Sequence, residues 1–192
     1  FHLTSDNLVD WQAEGVKLEP STKYDSHGVY SGTALPIGEE LLLAYTGNVR
    51  DHDWNRFSYQ MGALMNTQNQ ITKIEQPLIP APPEGYTDHF RDPQVIPYQG
   101  GYLLIIGAQT VQEEGKVLVY QGDTYTNWQL LGELDYMPAQ AGYMVECPNL
   151  VFIKDQPVLI FCPQGMAKED FAYQNIYPNT FVVGEQFDVN NV

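Results

Sequence analysis

Two acidic residues in this chain stand in settings that suit chemistry. Asp92 lies in Arg91-Asp92-Pro93, and Glu146 lies in Glu146-Cys147-Pro148 after the apolar pair Met144-Val145. Each acid is followed within two residues by proline, which fixes φ and removes a backbone donor, so the local chain direction is constrained at both places. A glutamate between apolar residues and a cysteine is expected to be partly desolvated, and desolvation raises a carboxyl pKa toward the range of a general acid. An aspartate next to an arginine is expected to be held ionised by that charge, which suits charge stabilisation. Two carboxyls with opposed environments are the division of labour that glycoside hydrolysis requires. On the residues alone a plainer reading stays open, in which Asp92 closes a turn and Glu146 ends a solvated strand.

The elements that must bring these acids together read as strands. Leu41-Leu42-Leu43-Ala44-Tyr45, Gly101 to Ile106, Lys116 to Tyr120, Leu150 to Ile153 and Pro157 to Phe161 are apolar runs of strand length. Turn signals separate them: Thr46-Gly47-Asn48, Tyr98-Gln99-Gly100, Gln121-Gly122-Asp123 and Lys154-Asp155-Gln156. No stretch keeps a helical period, so the chain is expected to be all-β. Three segments of similar form centre on Ser31, Asp92 and Glu146, at intervals of roughly 60 residues, each followed by strand, turn and strand. That repetition points to propeller blades, with a β-sandwich as the competing architecture. A propeller gathers the first strand of every blade around one channel, so residues distant in sequence would meet at its mouth. His2 to Trp11 reads as starting within a strand, and Phe181 to Asp188 as a strand lacking a partner. Residues 1–192 are therefore expected to form one partial propeller domain of about three blades, with open strand edges that favour self-association.

Four blocks in order carry a resemblance. They are Thr4-Ser5-Asp6-Asn7-Leu8-Val9-Asp10-Trp11, Asp25 to Ala34 (DSHGVYSGTA), Phe90-Arg91-Asp92-Pro93, and Glu146-Cys147-Pro148-Asn149. Together they resemble the family 32 glycoside hydrolases, which include invertases, fructan hydrolases and sucrose-6-phosphate hydrolases. The resemblance covers nearly the whole chain and is nearest to the bacterial sucrose-6-phosphate branch. It implies a five-bladed propeller and retaining cleavage of β-fructofuranosyl bonds in sucrose 6-phosphate or sucrose, without a cofactor or metal. It also implies roles. Glu146 would be the acid/base, Asp92 the stabiliser bound to fructose hydroxyls, and Arg91 the group orienting the carboxylates. Tyr30 and Ser31 would line the fructose subsite, and Cys147 would tune the acid/base through a weak S–H contact. The family's nucleophile lies in a W-x-N-D-P-N-G motif that these 192 residues lack, so the nucleophile is expected upstream of Phe1 and the isolated chain is expected to be inactive. Many family members also carry an aromatic residue where this chain has Val145. Fructan hydrolysis or fructosyl transfer are alternative activities, and a non-catalytic sugar-binding propeller is an alternative of another class.

The remaining sequence narrows the partners. Net charge is −15, with nine basic against 24 acidic residues, which argues against nucleic acid and against an anionic membrane surface. A small sugar is the expected partner, and no signal-peptide pattern follows Phe1, so a cytoplasmic location is expected. Cys147 and Cys162 are too few for a disulfide framework. A phosphate on the substrate would need a basic group, for which Arg50, Arg56 and Lys168 are available. Asp51-His52-Asp53 reads as a solvated loop rather than a metal cluster. His27 and His89 read as hydrogen-bonding residues, Trp11 and Trp128 as core, and Trp54 as the tryptophan to watch near the sugar.

Overall fold

The computed structural model describes residues 1–136, 141–168 and 175–192. Among them there is no helix, and so none long and apolar enough to cross a membrane. A small hairpin of β1 (His2–Thr4) and β2 (Gln12–Gly15) precedes three antiparallel sheets. The first sheet runs β3 (Val29–Ile37), β4 (Glu40–Arg50), β5 (Arg56–Met65) and β6 (Ile71–Lys73). The second runs β7 (Tyr86–Tyr98), β8 (Gly101–Thr110), β9 (Gly115–Thr124) and β10 (Asn127–Glu133). The third runs β11 (Met144–Ile153), β12 (Gln156–Gln164) and β13 (Thr180–Val183). Each is a meander, so strand order follows sequence order, as in the blades of a propeller.

The apolar run on β8 shows why the sheets stack. Leu104 and Ile106 face the first sheet and pack with Leu42 and Phe90, while Leu103 and Ile105 face the third and pack with Val145, Leu150 and Phe161. Alternate residues on a strand point to opposite faces, so a sheet covered on both sides reads as an unbroken apolar stretch. All four of these β8 side chains are fully buried. Truncating one, as in Ile105→Ala, is expected to cost about 2–5 kcal/mol.

Three sequence expectations are corrected. Thr46-Gly47-Asn48 is not a turn but the interior of β4, with Gly47 paired to Tyr59. A Cβ on Gly47 would lie 2.3 Å from the Tyr24 carbonyl oxygen, so this glycine marks a close backbone approach. Gln121-Gly122-Asp123 likewise lies inside β9. The stretch His2 to Trp11 is strand only to Thr4. Beyond it the Ser5 hydroxyl accepts the Leu8 N–H at 2.8 Å, and the Asn7 amide oxygen accepts the Val9 and Asp10 N–H groups at 2.9 Å each, closing a side-chain-capped turn.

Polar side chains fix the first strands of the sheets to one another. The Thr33 hydroxyl donates to the Pro93 carbonyl and accepts the Val95 N–H, both at 3.1 Å, which ties β3 to β7. The buried Gln94 amide accepts the Leu150 N–H at 2.7 Å and donates to the Leu150 carbonyl at 3.2 Å, which ties β7 to β11. The acids are carried on these tied strands.

Candidate active site

β3, β7 and β11 share one irregularity, and the residues singled out in the sequence sit on it. Register shifts between Val29 and Gly32 in β3, between Arg91 and Gln94 in β7, and between Glu146 and Asn149 in β11. Each is a bulge, where two residues oppose one across the ladder and side chains are re-aimed. The residues freed are Tyr30-Ser31, Asp92-Pro93 and Cys147-Pro148. Proline suits these places because no ladder hydrogen bond is asked of it. Asp92 and Cys147 both take left-handed φ values, 68° and 47°, which are sparsely populated for residues with a side chain.

The bulges bring the sites together. Tyr30, Ser31, Arg91, Asp92, Glu146 and Cys147 all line one open cleft. The Asp92 carboxylate accepts the Cys147 N–H at 2.9 Å, which joins the acid on β7 to the residue after the acid on β11. The backbone of Asp92 is held from behind. Its N–H donates to the Thr46 hydroxyl at 2.9 Å, Thr46 donates to Gln60 at 2.7 Å, and the Gln60 amide donates to the Phe90 carbonyl at 3.0 Å. Thr46 and Gln60 are buried. Polar residues inside apolar strands were the available sequence signal for this support.

The two acids have the reverse of the environments read from their neighbours in sequence. The Arg91 guanidinium does not hold Asp92. It crosses to β11 and donates twice to one oxygen of Glu146, from Nε at 3.1 Å and Nη2 at 2.9 Å to Oε1. Among the described residues no donor takes Glu146 Oε2, and the Glu146 side chain is 32% exposed. Asp92 is the buried acid, at 6% exposure. Burial raises its carboxyl pKa, against the pull of the Cys147 N–H and of Arg91. The Cys147 thiol also faces Asp92 (Sγ to Oδ2, 3.6 Å) and not Glu146. Burial and the Asp92 charge push that thiol up to about 12, so it stays protonated.

The cleft has a lining residue the sequence did not single out. Tyr143, 40% exposed, lines it. The Tyr143 ring lies against Gly165, whose added Cβ would meet the ring at 2.5 Å. Arg56 and His89, a basic candidate and a hydrogen-bonding residue in the sequence reading, complete the polar lining. His89 Nδ1 lies 3.1 Å from Arg91 Nη1 and 3.4 Å from Arg56 Nη1. Burial and the guanidiniums of Arg56, Arg91 and Arg50 lower the His89 pKa to about 4, so near neutral pH Nδ1 is unprotonated and accepts both.

The other residues lie outside this arrangement. His27 Nδ1 accepts the Arg50 N–H at 3.1 Å, and Asp51 accepts the Asp53 and Asn55 N–H groups, closing its own turn. Trp54 is 69% exposed beneath the Arg50 guanidinium. Trp128 packs on the core, whereas Trp11 is 54% exposed rather than buried. Lys168 is exposed and does not line the cleft.

Comparison with known proteins matches this geometry to a family. The chain is 55% identical to a sucrose-6-phosphate hydrolase of Pediococcus pentosaceus over 98% of its own length and 38% of that protein. It is 47% identical to the sucrose-6-phosphate hydrolase of Lactococcus lactis, over 97% of this chain and 40% of that one. Among solved structures, the sucrose-6-phosphate hydrolase of Lactobacillus gasseri superposes with a TM-score of 0.91 at 44% identity, over 98% of this chain and 39% of that chain. A mutant family 32 β-fructofuranosidase of Bombyx mori, solved in complex with sucrose, superposes at 0.81 with 30% identity, over 96% of this chain and 39% of that one. The chain thus spans about two fifths of the length of these relatives. Every residue from 1 to 192 falls within the family model for the glycosyl hydrolases family 32 N-terminal domain, and the chain belongs to that family, whose N-terminal domain is a β-propeller.

Proposed function

We propose that the protein to which this chain belongs hydrolyses the β-fructofuranosyl bond of sucrose 6-phosphate by a retaining, double-displacement mechanism. One observation carries this reading: Arg91 engages a single oxygen of Glu146, a residue that lines the cleft, and among the described residues nothing donates to Oε2. A carboxyl anchored by one oxygen and open at the other can give a proton to a leaving oxygen and later take one from water.

In the first step a carboxylate outside these 192 residues attacks the anomeric carbon of fructose. The carbon–oxygen bond to glucose breaks as Glu146 protonates that oxygen. In the second step Glu146 takes a proton from water, the water oxygen bonds to the anomeric carbon, and the nucleophile leaves as a carboxylate. Asp92 serves as the acceptor for fructose hydroxyls, with Tyr30, Ser31 and the Cys147 edge shaping the subsite. Arg91 positions Glu146. Relatives named as sucrose-6-phosphate hydrolases support the substrate. The cytoplasm is the compartment that fits this reading, as no signal-peptide pattern follows Phe1 and a charged sugar phosphate crosses membranes poorly.

The test is leaving-group dependence in the full-length enzyme. Glu146→Ala should lower kcat on sucrose 6-phosphate by about 10²–10⁴-fold, the worth of a positioned acid. It should lower fructosylation of the enzyme by β-fructosyl fluoride far less, since fluoride leaves without a proton. Equal losses on both substrates would remove the acid/base assignment.

A further inference from the structure

We propose that Arg56 forms an anion subsite on the flank of the cleft and reads a phosphate monoester on the leaving-group sugar. This rests on the proposed function, and it names the residue that separates a phosphorylated from a plain substrate.

Four observations lead to Arg56. It lines the same cleft as Asp92 and Glu146, on the neighbouring sheet. Among the described residues no carboxylate oxygen lies within 4.0 Å of it, in a chain with 24 acidic residues against nine basic ones. Where acids are abundant, a partly buried guanidinium without an acid is one reserved for something else. The nearby Asp88 carboxylate is engaged elsewhere, accepting the Ser58 N–H at 3.1 Å. The only side-chain hydrogen bond described for Arg56 is with His89 Nδ1 at 3.4 Å. Because that nitrogen also faces Arg91 Nη1, most of the five Arg56 donors remain for a ligand.

The surroundings favour an anion. Burial and the charges of Arg91 and Arg50 lower the Arg56 pKa, which is the mark of three guanidiniums crowded on one flank. A bound dianion would relieve that repulsion, and the planar donor fork of arginine matches phosphate oxygens. The other two basic groups fit less well. Arg50 donates to the Trp54 carbonyl at 3.0 Å and lies over the Trp54 ring, so it contributes charge from the second rank. Lys168 stands outside the cleft lining. His89 acts here as a positioning residue: its neutral ring separates Arg56 from Arg91, so that one guanidinium serves Glu146 and the other stays open.

The experiment uses the full-length enzyme and reads the ratio of kcat/KM for sucrose 6-phosphate to that for sucrose. Arg56→Ala should lower this ratio by roughly 10- to 100-fold, the range for losing a hydrogen bond to a charged group. Arg56→Lys should keep part of it, which separates charge recognition from misfolding. Inorganic phosphate should inhibit sucrose hydrolysis competitively in the parent and lose that effect in Arg56→Ala. An unchanged ratio in Arg56→Ala, whether or not both rates fall, overturns the assignment. If the parent turns over neither sugar, the proposed function fails, and calorimetric titration with inorganic phosphate still decides the subsite. Binding retained in Arg56→Ala overturns it, and binding lost supports it.

Discussion

Two ion pairs in this molecule, Lys73–Asp25 and Arg91–Glu146, look alike as pairs and differ in what is left over. Asp25 is fully buried, and each of its oxygens is occupied. Oδ1 accepts the Ser21 N–H at 3.0 Å and the Thr22 N–H and hydroxyl at 2.8 Å each, and Oδ2 accepts the Tyr45 hydroxyl at 2.9 Å and the Lys73 ammonium. Burial pushes this carboxyl up, but Lys73 and the Thr22 and Ser21 groups outweigh it and hold it at about 2. Among the described residues Glu146 has one oxygen tied and one without a donor, in the lining of a cleft. Complete satisfaction makes Asp25 a clamp that fixes the loop leading to Tyr30. Incomplete satisfaction leaves Glu146 with a proton site to use. A buried carboxylate with every partner in place belongs to stability, and a carboxylate lining a cleft with one oxygen open belongs to chemistry.

The comparison breaks if the two acids respond alike to removal. Glu146→Gln in the full-length enzyme is expected to lower kcat by about 10³-fold, with Tm within about 2 °C of the parent by thermal melt. Asp25→Ala should do the reverse. It leaves Lys73 without its carboxylate, and one-sided loss of a buried pair costs about 3–5 kcal/mol, a fall in Tm of roughly 10 °C. Its kcat, assayed below the melting range, should stay within a few-fold of the parent. Gly165→Ala sharpens the contrast from the far wall, since the new methyl must displace the Tyr143 ring. KM should rise by about 3- to 10-fold, the effect of losing one aromatic contact, with a smaller change in kcat.

Acid sensitivity separates the same regions. His89 titrates near 4 in the fold and about 6.5 unfolded, so the unfolded chain holds more protons between these values. Its contribution is complete above about pH 6.5 and is lost as pH falls toward 4. Asp25, near 2 in the fold and about 3.9 unfolded, contributes above about pH 4 and loses its contribution as pH falls toward 2. Urea melts across pH should show two successive losses, and His89→Gln should flatten only the first. The smallest effect concerns the open edge of β13, where Phe181 is 66% exposed. Phe181→Lys should reduce any concentration-dependent self-association of the 192-residue chain in sedimentation, because a charge on an edge strand opposes pairing.

The fold was legible where local chemistry and tertiary context agree. The β8 run and the Gln99-Gly100 and Lys154-Asp155 turns read directly as strands and hairpins, and both pairs take the left-handed φ values such turns need. The convergence of Ser31, Asp92 and Glu146 followed from the repetition of their segments along the chain. The electrostatics did not follow, because neighbours in a strand point to opposite faces. Arg91 adjoins Asp92 in sequence, yet its guanidinium reaches Glu146 on the next sheet. Tyr143 escaped notice because its setting depends on Gly165, distant in the chain.

The most direct test of the account is a crystal structure of full-length Glu146→Gln soaked with sucrose 6-phosphate. The account predicts that the residue 146 side chain lies about 2.6–3.2 Å from the glycosidic oxygen through the position of Oε2, with Arg91 still on the other oxygen and fructose hydroxyls on Asp92. A glycosidic oxygen seated on Asp92, or a substrate bound away from the β3, β7 and β11 bulges, would contradict it.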